Sequence, residues 1–180
     1  MSRREDRLRL RDIDWQNWKP QQRATLVFVI RDGQVLLIRK RKGLGVGKIN
    51  APGGRIGSGE TPLEGAVREA QEELCVIPVG IRQMGELRFQ FVDGLSLHVY
   101  VFVAKDCVGS PQETDEAEPI WTPIDAIPYE QMWEDDSHWV PVMLSGRTFD
   151  GRFVFDGDQM LDFDLRFGDS RVGPLESSNP

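Results

Sequence analysis

A dense group of carboxylates lies within one short segment of this 180-residue chain. It consists of five glutamates, at positions 60, 64, 69, 72 and 73, preceded by two glycines at 53 and 54. On a helix, Glu69, Glu72 and Glu73 occupy positions i, i+3 and i+4, so they project from one face and repel one another. A solvated helix face is the ordinary explanation, but lysines are not interspersed here. Mg²⁺ binds carboxylate and carbonyl oxygens together with substrate phosphates, so the segment predicts a magnesium–phosphate site.

The spacing of these residues resembles the Nudix box, G-x5-E-x7-R-E-U-x-E-E-x-G-U, in which U is aliphatic. In this chain the pattern begins at Gly54, reaches Glu60 after five residues and Arg68 after seven more, and closes with EAQEELCV at 69–76. The resemblance implies a divalent-metal hydrolase, in which an activated water attacks a phosphorus of a nucleoside diphosphate linked to a variable group.

The resemblance also implies which residues hold the metal. Glu69 and Glu73 are the expected Mg²⁺ ligands, with Glu72 as a third or bridging ligand. The carbonyl oxygen of Gly53 is expected to complete the protein shell. Mn²⁺ is an expected substitute for Mg²⁺.

Two further roles follow from the same resemblance. Arg68 is expected to pair with Glu60 and so to brace the loop against the helix. The general base differs among family members, and here Glu73, Glu69 and Glu116 are all candidates.

The chain departs from the box at two positions. Ala70 stands where a larger aliphatic residue is usual, and Cys75 stands where the family has glycine. That glycine is expected to end the helix in a left-handed conformation, which costs a cysteine about 1 kcal/mol. We therefore expect an effect of Cys75 on stability and none on the chemistry.

A second unusual stretch, MWEDDSHWVPVML at 132–144, places three acids directly after Trp133. Acids at the start of a helix are one explanation, because they suit the positive end of the helix dipole. The other is a purine site, in which Trp133 stacks on the base while Asp135 and Asp136 bind its edge. Two adjacent carboxyl groups split their pKa values, so one of them can be protonated and donate.

Residues 24–167 resemble the mammalian-type 8-oxo-dGTP diphosphatases, a Nudix subfamily. That resemblance rests on an asparagine before the glycine turn, a Trp-x-Asp-Asp stretch and the final hairpin, FDGRFVFDGDQMLDFDLRF. It implies hydrolysis of oxidised purine nucleoside triphosphates, such as 8-oxo-dGTP and 2-hydroxy-dATP, to the monophosphate and pyrophosphate, in sanitation of the nucleotide pool. The residues expected to bind substrate are Thr25, Lys40, Asn50, Phe89, Phe91, Trp133, Asp135 and Asp136.

Some features of this pocket leave alternatives open. Leu44, Ile49 and Pro52 replace aromatic residues of the relatives, which makes the predicted pocket wall less aromatic, and Asn50 could instead be a plain turn residue. A Nudix pyrophosphatase acting on ADP-ribose or a dinucleoside polyphosphate is the alternative enzyme. Phe91-Val92 stands where the ADP-ribose subgroup usually has proline. A non-catalytic Nudix module is a third possibility, against which the intact box glutamates argue.

The elements that position these residues follow from sequence periodicity. Apolar runs and alternation predict strands, and Thr61-Pro62 predicts the start of the acidic helix. The predicted elements are strands at 24–30, 35–39 and 118–124, hairpins at 85–104 and 149–167, and helices at 61–74 and 136–145, with loops at 39–55 and 107–118. This order predicts an α+β fold, the Nudix α/β/α sandwich, around a mixed, largely antiparallel sheet.

Composition indicates which binding partners and which cellular setting to expect. A net charge of −7 argues against a site for duplex nucleic acid, but a divalent cation lets an acidic protein bind a small nucleotide. The sequence has no membrane-length apolar run and no apolar stretch near Met1 that is typical of a secretory signal. Cys75 and Cys107 lack metal-ligand spacing, so a reduced, cytoplasmic protein is expected.

The sequence predicts three regions. Residues 1–22 form an N-terminal extension anchored by Trp15 and Trp18, residues 23–167 form the Nudix domain, and residues 168–180 form a disordered tail. We expect a monomer or a weak homodimer.

Overall fold

The computed structural model describes residues 7–171, which form eleven strands and two α-helices. Within these residues no helix is long and apolar enough to cross a membrane. The elements in chain order are β1 (Gln22–Arg31), β2 (Gln34–Lys40), β3 (Ile49–Asn50), β4 (Gly53–Arg55), α1 (Pro62–Leu74), β5 (Ile77–Val79), β6 (Arg82–Phe91), β7 (Ser96–Ala104), β8 (Asp106–Val108), β9 (Ala117–Pro123), α2 (Asp136–Leu144), β10 (Arg147–Asp156) and β11 (Gln159–Arg171).

Nine strands form one mixed sheet in the order β11-β10-β6-β7-β1-β2-β3, with β4 paired to β1 and β9 paired to β2. Only β1–β7 and β6–β10 are parallel within the described chain; the other pairs are antiparallel. Strands β5 and β8 form a separate antiparallel pair. The predicted mixed, largely antiparallel sheet is confirmed.

The two helices pack on opposite faces of this sheet. Alternate residues of β1 point to opposite faces, so Val27 and Val29 pack with α1 while Phe28 packs with Trp139 of α2. Both faces are covered, which explains why β1 reads as a continuous apolar run. The predicted α/β/α sandwich is therefore confirmed.

The sheet forks between β1 and β2. Near their connecting turn the two strands pair directly, with Ile30 opposite Val35. Further along, β1 pairs with β4, where Thr25 lies opposite Gly54, and β2 pairs with β3. Residues 51–52 cross between the two arms, so the sheet has a fork at this point, where β1 and β2 are no longer paired with each other.

Helix α1 begins and ends as its sequence predicts. The Thr61 hydroxyl accepts a hydrogen bond from the Glu64 N–H, the Glu64 carboxylate accepts one from the Thr61 N–H, and Pro62 occupies the first turn. At the other end Cys75 adopts φ 60° and ψ 30°, and its N–H donates to the Gln71 carbonyl. The left-handed conformation expected at Cys75 is confirmed.

Replacing Cys75 by glycine is expected to stabilise the protein by about 0.5–1 kcal/mol, because relief of the left-handed strain exceeds the added freedom of the unfolded chain. Urea unfolding at a fixed metal concentration measures this change. Cys75→Ala keeps the Cβ atom and the strain, so it is the matched control. Equal stabilisation by both variants would show that the thiol, and not the backbone, is responsible.

Parts of the chain differ from the predicted elements. The region 39–55, predicted as a loop, contains β3 and β4, and the acidic region at 107–118 begins within β8 and ends within β9. Strands of two or three residues are too short to show a periodicity. Strand β11 continues to Arg171, so the predicted tail begins inside it, and residues 172–180 lie outside the described residues.

The N-terminal segment packs across β6, β10 and β11. The Trp18 indole donates to the Gln90 side chain at 2.9 Å, and the Arg152 guanidinium lies 5.3 Å from the centre of the Trp15 ring. The Leu10 N–H donates to the Asp162 carboxylate at 3.0 Å. Both tryptophans therefore anchor this segment to the sheet.

Candidate active site

The two glycines of β4 let helix α1 approach the sheet closely. A Cβ atom on Gly54 would lie 2.5–2.6 Å from the carboxylate atoms of Glu69, and one on Gly53 would lie 1.9 Å from the Thr25 carbonyl oxygen. Real Cβ atoms do not come so close, so only glycine fits at either position. This packing brings the Glu69 carboxylate against the β4 backbone.

Glu73 is the most buried of these carboxylates, with 3% of its surface exposed. Burial raises its pKa to about 8, although the Gly53 N–H donates to Glu73 Oε1 at 3.1 Å and favours the charged form. Burial also raises the pKa of Glu69, against the opposing effect of Arg68. A cation bound near Glu69 and Glu73 would lower these raised pKa values, because it stabilises the charged carboxylates.

Arg68 joins the loop to the outer side of α1. Its guanidinium donates to both carboxylate oxygens of Glu60, at 2.7 and 2.9 Å, and also to Glu69 at 2.9 Å and Glu72 at 3.1 Å. The Arg68 contact, together with the Gly57 N–H, lowers the pKa of Glu60 to about 2. Glu60, Arg68 and Glu72 are not among the described residues that line the cavity reported below.

Glu116 reaches the same region from the loop that precedes β9. The Thr114 hydroxyl donates to the Glu73 carbonyl at 2.7 Å and accepts from the Glu116 N–H at 3.3 Å. The Arg41 N–H donates to the Glu116 carbonyl at 2.9 Å. Glu116, Glu69 and Glu73 therefore face one end of a shared cavity.

The donor set at this end fits a hard divalent cation. It consists of buried carboxylates next to a glycine backbone, which are the oxygens that Mg²⁺ prefers. Within residues 7–171 no group of three such side chains is arranged to hold a metal ion. Glu69 and Glu72 each accept a hydrogen bond from Arg68 through one carboxylate oxygen, and Glu73 accepts one from the Gly53 N–H, so each keeps a second oxygen that can bind a cation.

The metal-free protein is expected to lose stability as pH rises from about 5 to 8. Between the ordinary pKa of 4.5 and the raised pKa of about 8, folded Glu73 keeps a proton that the unfolded chain releases. Raising the pH therefore favours unfolding, by about 3–4 kcal/mol across this window. Urea unfolding in EDTA at several pH values measures the slope.

Glu73→Gln is the matched variant for this prediction, and it should flatten the slope. The slope that remains includes contributions in the same direction from Glu69, Asp135 and Asp136, whose pKa values are raised, and an opposing contribution from His98, whose pKa burial lowers. Saturating Mg²⁺ should also remove the Glu73 contribution. An unchanged slope in Glu73→Gln would contradict the assignment.

A cavity of about 380 Å³ extends from the carboxylates into the face that α2 covers. It lies at the fork of the sheet, because Thr25, Asn50 and Gly54 on the two arms line it. Its lining includes all eight residues predicted to bind substrate, namely Thr25, Lys40, Asn50, Phe89, Phe91, Trp133, Asp135 and Asp136. The cavity therefore brings these eight residues together with Gly53, Glu69 and Glu73 of the predicted metal ligands, whereas Glu72 is not among its described lining residues.

Asp135 and Asp136 form a buried acidic pair, 2% and 3% exposed. The Trp139 indole donates to Asp135 at 2.8 Å, and the Trp133 N–H donates to Asp136 at 3.1 Å. Burial raises the pKa of Asp135 to about 6; burial and the neighbouring Asp135 carboxylate raise that of Asp136 well above its usual range. Asp135 occupies the helix-cap position without a side-chain capping bond, so capping alone does not explain the pair.

Two other polar side chains in the cavity differ in whether they have a hydrogen-bond partner. The Asn50 side-chain oxygen accepts from the Ala51 N–H at 2.8 Å, as in a turn, while the residue also lines the cavity. Thr25 is 1% exposed, and within the described chain its hydroxyl has no hydrogen-bond partner. A buried hydroxyl without a partner beside a cavity indicates that a ligand or water completes it.

Much of the apolar lining was not predicted from the sequence. Alternation along β6 and β7 could have indicated part of it, because Leu87, Leu97 and Val99 share a face with Phe89. The unpredicted lining residues are Gln22, Ala24, Leu26, Lys42, Gly43, Ala51, Arg55, Leu87, Leu97, Val99, Trp139 and Phe155.

The three positions that differ from the resembled subfamily are placed differently. Leu44 lines the cavity, whereas Ile49 is packed in the core and Pro52, which accepts from the Val27 N–H, crosses the fork. Ile49 and Pro52 are not among the described lining residues. The prediction that they form part of the pocket wall is therefore wrong for the described structure.

Comparison with known proteins places this geometry in context. Residues 20–143 match the NUDIX domain family. A Danio rerio protein named oxidized purine nucleoside triphosphate hydrolase is 41% identical over 138 residues, covering 76% of this chain and 88% of the fish protein. A Mus musculus protein of the same name is 39% identical over 148 residues, covering 81% and 95%. The crystal structure of a MutT protein from Bacillus halodurans aligns with a TM-score of 0.70 at 27% identity, covering 80% and 97%.

Proposed function

Because this chain belongs to the NUDIX family of hydrolases, we propose that it converts oxidised purine nucleoside triphosphates to the monophosphate and pyrophosphate, with Mg²⁺ as cofactor. The single observation that carries the proposal is the cavity itself. It has carboxylates suited to a metal and phosphates at one end, and a buried acidic pair beside an indole at the other. The names of the Danio rerio and Mus musculus relatives support the same substrate class.

At the phosphate end, Glu69 and Glu73 would hold the metal, with Glu72 and the Gly53 carbonyl completing the set. When bound, Mg²⁺ or Mn²⁺ supplies charge neutralisation at the phosphate oxygens and acidifies a water molecule. Lys40 lines the same end and offers a positive charge to the triphosphate.

Charged residues at this end also orient the loop and accept the proton of the attacking water. Arg68 and Glu60 are positioning residues, because their paired hydrogen bonds fix the loop against α1. The attacking water gives its proton to a carboxylate oxygen of Glu73, Glu69 or Glu116, all of which face the cavity.

At the base end, Trp133 offers a flat surface for stacking, and Phe89 and Phe91 add apolar walls. Because the raised pKa values of Asp135 and Asp136 favour protonation, one carboxyl group can donate while the other accepts. Such a pair can bind both a donor and an acceptor on a purine edge, and oxidation changes this hydrogen-bonding pattern. The Asn50 side chain lies in the same cavity.

The decisive experiment is a pyrophosphate-release assay in Mg²⁺ with 8-oxo-dGTP, 2-hydroxy-dATP and dGTP, and an AMP-release assay with ADP-ribose. We expect kcat/KM for an oxidised purine to exceed that for dGTP by at least about tenfold, which corresponds to one buried hydrogen bond. Equal rates on dGTP, or faster turnover of ADP-ribose, would refute the substrate assignment while leaving the reaction class intact.

The proposal extends to the setting of the enzyme. We propose a cytoplasmic enzyme that acts on free nucleotides, as a monomer or weak homodimer, and not on duplex nucleic acid. The free thiols of Cys75 and Cys107 and the net charge of −7 support this setting. The proposed regions are the extension at 1–22 and the domain at 23–167, and the tail predicted at 168–180 overlaps β11, which ends at Arg171.

A further inference from the structure

Two aromatic side chains pack against Trp133. Its ring centre lies 6.2 Å from that of Phe91 and 5.7 Å from that of Phe155, and both contacts are nearly perpendicular. These contacts restrict movement of the indole.

Lys48 supplies a contact over this ring. Its ammonium lies 4.9 Å from the centre of the Trp133 ring and 3.2 Å from a carboxylate oxygen of Asp158, in the turn between β10 and β11. The Lys48 side chain is 23% exposed, whereas that of Asp158 is 74% exposed. Among the described residues that line the cavity, Trp133 is present and Lys48 is not. Lys48 therefore contacts the indole from outside the cavity.

The backbone of the same loop also packs on the indole. The Lys48 N–H donates to the Gly45 carbonyl at 2.9 Å, which closes a tight turn. Gly45 has φ +77°, and a Cβ atom there would lie 2.9 Å from Trp133 Nε1. A glycine is therefore required for this turn to lie against Trp133.

We propose that Lys48 is a positioning residue for base recognition, which holds the plane of Trp133 from outside the cavity. The inference rests on the proposed function, because it assumes that a purine stacks on the other face of the indole. A cation over a tryptophan ring is attracted by the ring electrons and fixes the orientation of the ring. The charge of Lys48 also acts on Asp136, where it opposes the effects of burial and of Asp135 on the pKa.

The test compares Lys48→Met with wild type. Methionine keeps a long apolar side chain and removes the charge. We expect KM for the oxidised purine triphosphate, and Kd for its monophosphate product measured calorimetrically in EDTA, to rise about threefold to tenfold. We expect kcat to stay within about twofold, because the carboxylates at the other end are untouched. Lys48→Arg should restore KM and Kd.

The matched control is Asp158→Asn, which removes the exposed partner of Lys48 and leaves the ammonium over the ring. Exposed ion pairs contribute little, so we expect KM within about twofold of wild type. An equal effect of both variants would show that the ion pair, and not the contact with the indole, is responsible. An unchanged KM in Lys48→Met would also overturn the inference.

A second measurement does not depend on turnover. Protein labelled with 5-fluorotryptophan gives a fluorine resonance for Trp133, assigned with Trp133→Phe. We expect this resonance to shift or broaden in Lys48→Met and to be unchanged in Asp158→Asn; an unchanged resonance in both overturns the inference. If wild type neither binds nor hydrolyses oxidised purines, the proposed function fails, and the role of Lys48 in base recognition fails with it. If wild type is active on oxidised purines and Lys48→Met behaves like wild type, the inference fails while the proposed function stands.

Discussion

Glu73→Gln is expected to lower kcat on any accepted nucleotide by about 10³-fold, because one carboxylate serves both as a proposed metal ligand and as a candidate base. Glutamine has nearly the same shape, and its side-chain oxygen can still accept from the Gly53 N–H, so the fold should be retained. Burial favours a neutral side chain at this position, and the metal-free variant should be more stable than wild type at pH 8. Pyrophosphate release at saturating Mg²⁺ measures the loss.

Glu64→Gln is the matched control for this prediction. Glu64 lies on the same helix, but its carboxylate accepts from the Thr61 N–H in the capping box, and glutamine can fill that role. We expect its kcat to remain within about twofold of wild type. If Glu73→Gln retains more than a tenth of wild-type activity, Glu73 is neither an essential ligand nor the base.

Asp136→Asn is expected to reduce kcat/KM for the oxidised purine by about 10- to 100-fold. The substitution removes the carboxyl group that would donate a buried hydrogen bond to the base when protonated, or accept one when charged. The effect on dGTP should be below about threefold, because dGTP is not expected to use that bond. The asparagine oxygen can still accept from the Trp133 N–H, which protects the local structure. The ratio of the two kcat/KM values is the quantity to measure.

Glu134→Gln provides the control for the acidic pair. Glu134 is adjacent in sequence but exposed, and its carboxylate accepts from the Met160 N–H, which glutamine can also do. The preference for the oxidised purine should be unchanged in this variant. Loss of preference in Glu134→Gln, or equal losses on both nucleotides in Asp136→Asn, would contradict recognition of the base by the buried pair.

Local chemistry explains which parts of the fold could be predicted from sequence. Helix α1 carries its own boundaries, because Thr61 and Glu64 cap its start and Cys75 takes the left-handed position at its end. Alternating runs such as β6 and β10 bury mainly one face, and that pattern is visible in the sequence. The Nudix resemblance then indicated which carboxylates belong together.

Other features depend on contacts between residues that are distant in sequence. Strands β3 and β4 have two and three residues, so they exist only because β1 and β2 diverge and leave their edges to be paired. The hydrogen bond between Trp139 and Asp135 requires the register of α2 to be known. The hydrogen bond from Trp18 to Gln90 joins residues separated by 72 positions, and nothing in the local sequence around either residue predicts this contact.

The forked sheet has a consequence for how such an enzyme can diversify. The carboxylates belong to α1 on one side of the fork, while the indole and the acidic pair belong to the segment around α2 on the other side. The two groups share the cavity but do not share a strand. Substitutions around residues 133–136 can therefore change the accepted base without moving the carboxylates. Selection for a new nucleotide should therefore yield mutations on the α2 side. A change of chain length at residues 51–52, which cross the fork, should disturb the carboxylates and the base pocket together.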